Sequence, residues 1–210
     1  MSRTLYKTSM EILEKSLGLP EYKGILLELE KIFFDTHITI SDIDSYRDNL
    51  YKYYYEKTLI TKIESHNNKN ILDLIYEDGN IDKLSYDFLS NKKLSIFQVK
   101  KVKKDSLVIS DIFTKSPDIT IFLNDDWIAI EKGELIQSFL YESNEPYLST
   151  NGFIHPKEVK KLILKEAKSI IKNNNDDIYI GDLLSKLFRR FVNSMRYSKK
   201  NPLEIYTIDL

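Results

Sequence analysis

A chain of 210 residues with 42% hydrophobic and 30% charged residues is long enough to bury a core, and this composition excludes a globally disordered protein. The absence of cysteine excludes disulfides, thiolate chemistry and cysteine-ligated zinc. The formal net charge is −1, with −5 in residues 1–90, −1 in residues 91–155 and +5 in residues 156–210. This asymmetry indicates either a basic end that contacts a polyanion or oppositely charged parts that pack together.

The first ninety residues have the apolar spacing of amphipathic helices, with a break at "GLPEYKG" between the first two. We expect the third helix to begin near Ser41 or Asp42, because both are favourable N-cap residues. Its aromatic run "YKYYYEK" is interpreted as core packing. The apolar positions of the first two helices are Met10, Leu13, Leu17, Ile25, Leu26, Leu29, Ile32 and Phe33.

From Leu94 the hydrophobic period changes towards two, which is typical of strands. Short segments with alternating or β-branched residues follow one another between turn-forming clusters. The segments are "LSIFQVKKV", "DSLVISDIF", "ITIFL", "WIAIE" and "ELIQSFLY". They predict an antiparallel meander or small barrel in residues 91–155.

Helical periodicity returns in residues 156–210. Pro156 suits the first helical position, because its missing N–H costs nothing there, and a last helix is expected at "GDLLSKLFRRFVNSMRY". The apolar face of the first of these helices contains Val159, Leu162, Ile163, Ala167, Ile170 and Ile171. The sequence therefore predicts an α+β protein: a helical region (1–90), an antiparallel β domain (91–155) and a helical region (156–210) that packs on the rest.

The segment "PYLSTNGFIHP", residues 146–156, is rich in turn-forming residues and is interpreted as the turn between the last strand and a helix. We expect Gly152 to be required for its backbone conformation, so that Gly152→Ala destabilises the protein if φ is positive. His155 is expected to precede the helix without acting as a catalytic base. On this interpretation His155→Ala leaves the fold intact.

No segment has the spacing of a catalytic or metal-binding motif. The three histidines, His37, His66 and His155, are scattered along the chain. The segment "PDITIFLNDDWIAIEK" is superficially similar to the pattern of metal-dependent nucleases, but Glu131 and Lys132 are adjacent and would point to opposite faces of a strand. Nucleophile elbows, phosphate-binding loops and dinucleotide-binding turns are absent. We therefore predict no catalytic residue, no cofactor and no bound metal.

Two stretches, residues 92–104 and 186–200, are rich in basic residues. In the second, the apolar residues are spaced as one inward helix face, so we expect the basic residues to form an exposed face that binds the partner. These candidate partner-binding residues are Lys186, Arg189, Arg190, Arg196, Lys199 and Lys200.

A helix that ends before "SIFQV" is followed by "LVISDIF", "WIAIEKGELIQSFLY" and "YLSTNGFIHP". This pattern, in residues 85–155, resembles a poorly characterised family of bacterial proteins and is similar to the small β domain that accompanies the SEC-C zinc motif. The cysteines of that motif are absent here. The resemblance implies a β domain and a bacterial origin, and it implies no catalytic residue.

These patterns together predict a non-catalytic interaction or adaptor protein of a bacterial cytoplasm, with a protein as its partner. A nucleic-acid-binding module that uses both basic stretches is the alternative, and a hydrolase with an unrecognised site is a third hypothesis. The N-terminal segment lacks the apolar core of a signal peptide, and no window of about 18 apolar residues predicts a membrane span. The oligomeric state stays open.

Overall fold

Helices occupy both ends of the chain and strands occupy its middle. The computed structural model describes residues 2–34, 47–122, 130–172 and 177–207. The helices are α1 (Ser2–Leu17), α2 (Pro20–Phe34), α3 (Arg47–Thr58), α4 (Ile71–Glu77), α5 (Lys83–Ser90), α6 (Lys160–Lys172), α7 (Asp177–Arg196) and α8 (Pro202–Thr207). The strands are β1 (Lys92–Val102), β2 (Ser106–Asp111), β3 (Ile119–Phe122), β4 (Leu135–Tyr141), β5 (Tyr147–Leu148) and β6 (Phe153–Ile154).

The strands form one antiparallel sheet in the order β3-β2-β1-β4-β5, and β6 also pairs with β4. The predicted α+β class is therefore confirmed. Ser41, Asp42 and residues 127–129 of "WIAIE" lie outside the described residues, and the two remaining residues of that segment are not in a strand. Pro156 precedes a short 3-10 helix, Lys157–Val159, that leads into α6.

The chain forms two compact units, each built from separate segments. Of the described residues, unit 1 contains 2–34, 47–93 and 139–151, and unit 2 contains 94–122, 130–138, 152–172 and 177–207. Strands β1 and β4 each contribute residues to both units.

In unit 1, α1 packs against α2 and α5, and α2 packs against α3. Polar side chains fix the start of the short helices. The Asn70 side chain accepts a hydrogen bond from the Asp73 N–H, and the Asp73 carboxylate accepts one from the Asn70 N–H, which is a capping box for α4. Asp82 caps α5 by accepting from the N–H and the hydroxyl of Ser85.

In unit 2, α6 packs against α7, and α7 packs against α8. The buried side chains of α6 and of the 3-10 helix before it lie at the spacing that the sequence predicted, because Val159, Ile163 and Ala167 follow one another at intervals of four residues. They share one apolar core with residues of β1, β4, α7 and α8. That core contains Ile96, Phe113, Leu135, Val159, Ile163, Ala167, Leu183, Leu184, Leu187 and Tyr206.

Gly152 is required for a different reason from the expected one. Among the described residues, the glycines with positive φ are Gly79 and Gly133, so Gly152 does not need the left-handed region. A β-carbon on Gly152 would instead lie well inside van der Waals contact of the Gln137 carbonyl oxygen and the Ser138 side chain. The close approach of the residue-152 backbone to β4 excludes any larger side chain at this position.

None of the helices in the described part of the chain is long and apolar enough to cross a membrane.

Candidate functional site

Unit 1 buries an acidic side chain, Glu56, with no exposed surface. Glu56 lies near the end of α3, in the aromatic run that the sequence predicted as core packing. Tyr53 and Tyr54 of that run are indeed 1% exposed. Because residues three apart lie on the same side of a helix, the face that buries Tyr53 also buries Glu56.

One oxygen of the Glu56 carboxylate accepts three hydrogen bonds. The donors to Oε1 are the Tyr6 hydroxyl, the Ser149 hydroxyl at 2.7 Å and the Asn151 Nδ2 at 3.0 Å. Asn151 Nδ2 also lies 3.0 Å from the Tyr6 hydroxyl. Through these bonds, Glu56 of α3 connects Tyr6 of α1 to Ser149 and Asn151 in the segment after β5.

The other oxygen, Oε2, is buried and completes no hydrogen bond of normal geometry, and the same is true of the Tyr141 hydroxyl. Burial raises the pKa of Tyr141, and the nearby Glu56 carboxylate raises it further. Burial also raises the pKa of Glu56, against the opposing effect of the Lys92 charge and of the three donors. A protonated Oε2 could donate to the Tyr141 oxygen, which would give both atoms a partner.

Lys92 is the cation beside this carboxylate. Its Nζ donates to the Glu56 backbone carbonyl at 2.8 Å and lies 5.4 Å and 5.7 Å from the ring centroids of Phe139 and Tyr141. Burial lowers the pKa of Lys92, and the Glu56 charge opposes that shift. Both shifts favour a neutral carboxyl beside a neutral amine. Such a pair is typical of acid–base chemistry, but Glu56 has no solvent-exposed surface that a substrate could reach in this conformation.

His155 belongs to a buried hydrogen-bond relay in unit 2. Gln137 Nε2 donates to the Leu184 carbonyl at 2.9 Å, so Gln137 Oε1 is left as the acceptor for His155 Nε2 at 3.3 Å. His155 Nε2 therefore carries the proton, and Nδ1 accepts from the Tyr206 hydroxyl at 2.9 Å. Burial lowers the pKa of His155 to about 3, which keeps the ring neutral.

The relay explains why His155 is not available as a base. A cavity of about 200 Å³ in unit 2 is lined by His155, residues 131–135 and Lys160, together with Pro156 and Lys157. Both ring nitrogens of His155 are nevertheless bonded to uncharged partners, and the ring is 2% exposed. The expectation that His155 is a simple turn residue was incomplete, because its ring connects β4, β6 and α8.

The remaining candidates for metal chemistry do not converge. Glu131 forms an ion pair with Lys157 at 2.6 Å, and Lys132 is exposed. His66 contacts the neighbouring Ser65 hydroxyl at 2.9 Å, whereas His37 lies outside the described residues. In the four described ranges, no three His, Asp or Glu side chains are grouped as metal ligands would be.

One of the six predicted partner-binding residues, Arg190, does not belong to an exposed face. It is 2% exposed, and its Nη1 contacts the two carboxylate oxygens of Glu166 at 3.0 and 2.9 Å. The reason is helical spacing, because Arg190 lies three residues after the buried Leu187. The prediction that Arg190 is exposed was wrong, and its guanidinium pairs with Glu166 inside unit 2.

The other five predicted residues are at least partly accessible. Lys186 and Arg189 are half-buried, whereas Arg196, Lys199 and Lys200 are exposed. The Arg196 guanidinium and the Lys200 ammonium lie 5.5 Å and 5.2 Å from the ring centroid of Tyr197. In the first basic stretch, Lys92 points into the Glu56 cluster, while the end of β1 and the turn that follows it expose their lysines. These are Lys100, Lys101, Lys103 and Lys104.

A further basic surface was missed at the level of the sequence. Helix α6 exposes four lysines, Lys161, Lys165, Lys168 and Lys172, at intervals of four, three and four residues. We call them the α6 lysine row. These lysines could have been predicted from the helical periodicity that predicted the buried face of α6. The spacing of polar residues along a helix is as informative as the spacing of apolar ones.

The described fold and side chains define an α+β protein with two enclosed polar clusters and a basic helical surface. The chain matches no protein-family model, and comparisons with curated proteins and with solved structures give no significant match.

Proposed function

We propose that the protein is a non-catalytic binding protein of a bacterial cytoplasm and that unit 2 binds an anionic macromolecule. One observation carries this proposal. In residues 157–172 and 177–207, eight basic side chains are exposed but only four acidic ones are. The local positive charge attracts anions although the whole chain has a formal net charge of −1.

The environments of the most perturbed groups support a role without catalysis. Glu56 is enclosed by the donors that it binds, and His155 is enclosed by Gln137 and Tyr206. A catalytic acid or base needs access to the substrate as well as a shifted pKa. The described conformation supplies the shifted pKa at both residues but not the access.

Heparin-affinity chromatography at pH 7 tests the proposal, because heparin is a generic polyanion. We expect the wild-type protein to be retained in 50 mM salt despite its negative net charge. Replacing three exposed residues near the end of unit 2 by glutamine should lower the salt concentration at which the protein elutes. The three residues are Arg196, Lys199 and Lys200.

A matched control changes the same number of charges in unit 1. Lys7, Lys15 and Lys23 are exposed residues of α1 and α2, and their triple glutamine variant has the same net charge as the unit 2 variant. We expect this control to elute with the wild type. An equal decrease in the eluting salt concentration of both variants, or no retention of the wild type, would contradict binding through unit 2.

A further inference from the structure

We infer that the α6 lysine row binds the phosphate backbone of a nucleic-acid duplex, without reading its sequence. This inference rests on the proposed function and names the class of anionic partner. It is carried by the position of the row on the helix, by the lack of acidic partners for its lysines and by the residue types that accompany them.

The row is on the side of α6 opposite the core. At about 100° per residue, the four lysines lie roughly 140–200° around the helix from the buried Ile163. The row extends over about 16 Å, and successive lysines are separated by a rise of about 4.5–6 Å. All four lysines are exposed, so each ammonium can meet a separate phosphate.

The lysines of the row have no acidic partner among the described residues. The acidic residue of α6, Glu166, is bonded to Arg190, and the ion pairs of the described residues involve none of the four lysines. Like charges four residues apart destabilise a helix, whereas surface helices gain from alternating signs. The row therefore destabilises α6 locally, and a bound polyanion would offset that destabilisation.

The composition of this face favours the backbone of a duplex. Apart from the lysines, the exposed residue of α6 is Ser169. Single-strand binding uses aromatic side chains that stack on bases, and base reading uses arginine, asparagine or glutamine; the exposed face of α6 has neither. Evenly spaced cations without such groups suit sequence-independent phosphate contacts along about five base pairs.

The same face is a poor match for a membrane or a protein. An interfacial helix inserts an apolar face between lipids. In α6, Ile163 and Ala167 are buried in the core of unit 2, and the partly buried Leu162, Leu164 and Ile170 pack against that core. Protein interfaces depend on aromatic or apolar anchors at their centre, which this row does not offer.

The test is a salt titration of the full chain against 20-base-pair duplexes of DNA and of RNA, followed by fluorescence anisotropy. Four phosphate contacts predict a slope of about −3.6 for the logarithm of the binding constant against the logarithm of the salt concentration. Affinity should therefore fall about 150-fold between 50 and 200 mM salt. Binding of both duplexes supports backbone recognition, and preference for one identifies the source of the phosphates.

Two quadruple glutamine variants locate the contact. Replacing Lys161, Lys165, Lys168 and Lys172 should abolish measurable binding, whereas the quadruple arginine variant keeps the charges and should bind like the wild type. The matched control replaces Lys100, Lys101, Lys103 and Lys104, which are exposed at the end of β1 and in the turn that follows it, and it changes the net charge equally. We expect the control to stay within about threefold of the wild type with an unchanged slope.

The outcomes separate this inference from the proposed function. Tighter binding to poly-glutamate or to anionic phospholipid vesicles than to either duplex would overturn the inference and leave the proposed function standing. An equal loss of duplex affinity in the control variant would also overturn the inference. Retention on neither heparin nor poly-glutamate, together with no duplex binding at 50 mM salt, would overturn both.

Discussion

Glu56→Gln and Glu56→Ala should have very different effects on the stability of unit 1. Glutamine has the shape of a neutral glutamic acid and keeps a carbonyl oxygen for the three donors to Oε1. Alanine removes the carboxylate oxygen that Tyr6, Ser149 and Asn151 share as an acceptor. Each unsatisfied buried donor costs about 1–3 kcal/mol. We expect Glu56→Ala to lower the free energy of unfolding by about 3–6 kcal/mol, and Glu56→Gln to change it by less than about 1 kcal/mol.

The pH dependence has a definite sign. Because burial raises the pKa of Glu56 in the folded protein, the folded state binds more protons than the unfolded state above the ordinary carboxyl pKa. The stabilisation from this carboxyl is complete below the unfolded pKa, and it is lost as the pH rises through the folded pKa. Compared with Glu56→Gln, the wild type should therefore be relatively most stable near pH 4 and lose that advantage towards higher pH.

Urea unfolding followed by far-UV circular dichroism at several pH values measures both effects. Amide hydrogen exchange of residues 147–151 supplies a readout that belongs to unit 1. Ser149→Ala is the control, because it removes one donor and leaves the other two in place. If Glu56→Gln cost as much as Glu56→Ala at every pH, Glu56 would be a charged group held by its donors, and the neutral-carboxyl account would be wrong.

Three further substitutions test contacts in unit 2, each by its free energy of unfolding. His155→Ala should cost about 2–4 kcal/mol, contrary to the sequence-based expectation, because it removes the hydrogen bonds of the His155 ring to Gln137 and Tyr206. A loss below about 1 kcal/mol would contradict the relay. Gly152→Ala should cost at least about 1–3 kcal/mol, because β4 occupies the space that the added methyl group needs. The control Gly181→Ala, with open space in α7, should be neutral or stabilising. The reverse order of the two effects would contradict the close approach of Gly152 to β4. Arg190→Ala should cost about 1–3 kcal/mol by leaving Glu166 unpaired, and equal stability to wild type would refute a structural ion pair.

The sequence was sufficient for features that depend on local spacing. The change of hydrophobic period near Leu94 correctly predicted the start of the strands, since β1 begins at Lys92. The period of Val159, Ile163 and Ala167 correctly predicted the buried side of α6 and the residues before it. Both features follow from the repeat of a single element, and the repeat is visible in a single sequence.

Polar partners across the chain could not be predicted in the same way. The residues that bond Glu56 are separated from it by 50, 93 and 95 positions. No local pattern marks a glutamate as the shared acceptor of such distant groups. The burial of Arg190 differs, because it could have been predicted from the spacing of three residues between Arg190 and the buried Leu187. Exposure was expected only because arginine generally prefers the protein surface.

The segment "PYLSTNGFIHP" shows why turn chemistry alone is an incomplete guide to function. Local rules correctly predict a turn here, but the turn lies at residues 150–151 between β5 and β6, and the segment does not lead directly from the last strand to a helix. The polar atoms of the segment still have hydrogen-bonding capacity after the turn is made. Ser149 and Asn151 use that capacity on Glu56, and His155 uses it on Gln137 and Tyr206. Among the described residues, these bonds therefore enclose Glu56 and His155, two groups whose pKa values burial shifts, and leave neither side chain accessible to a substrate in this conformation.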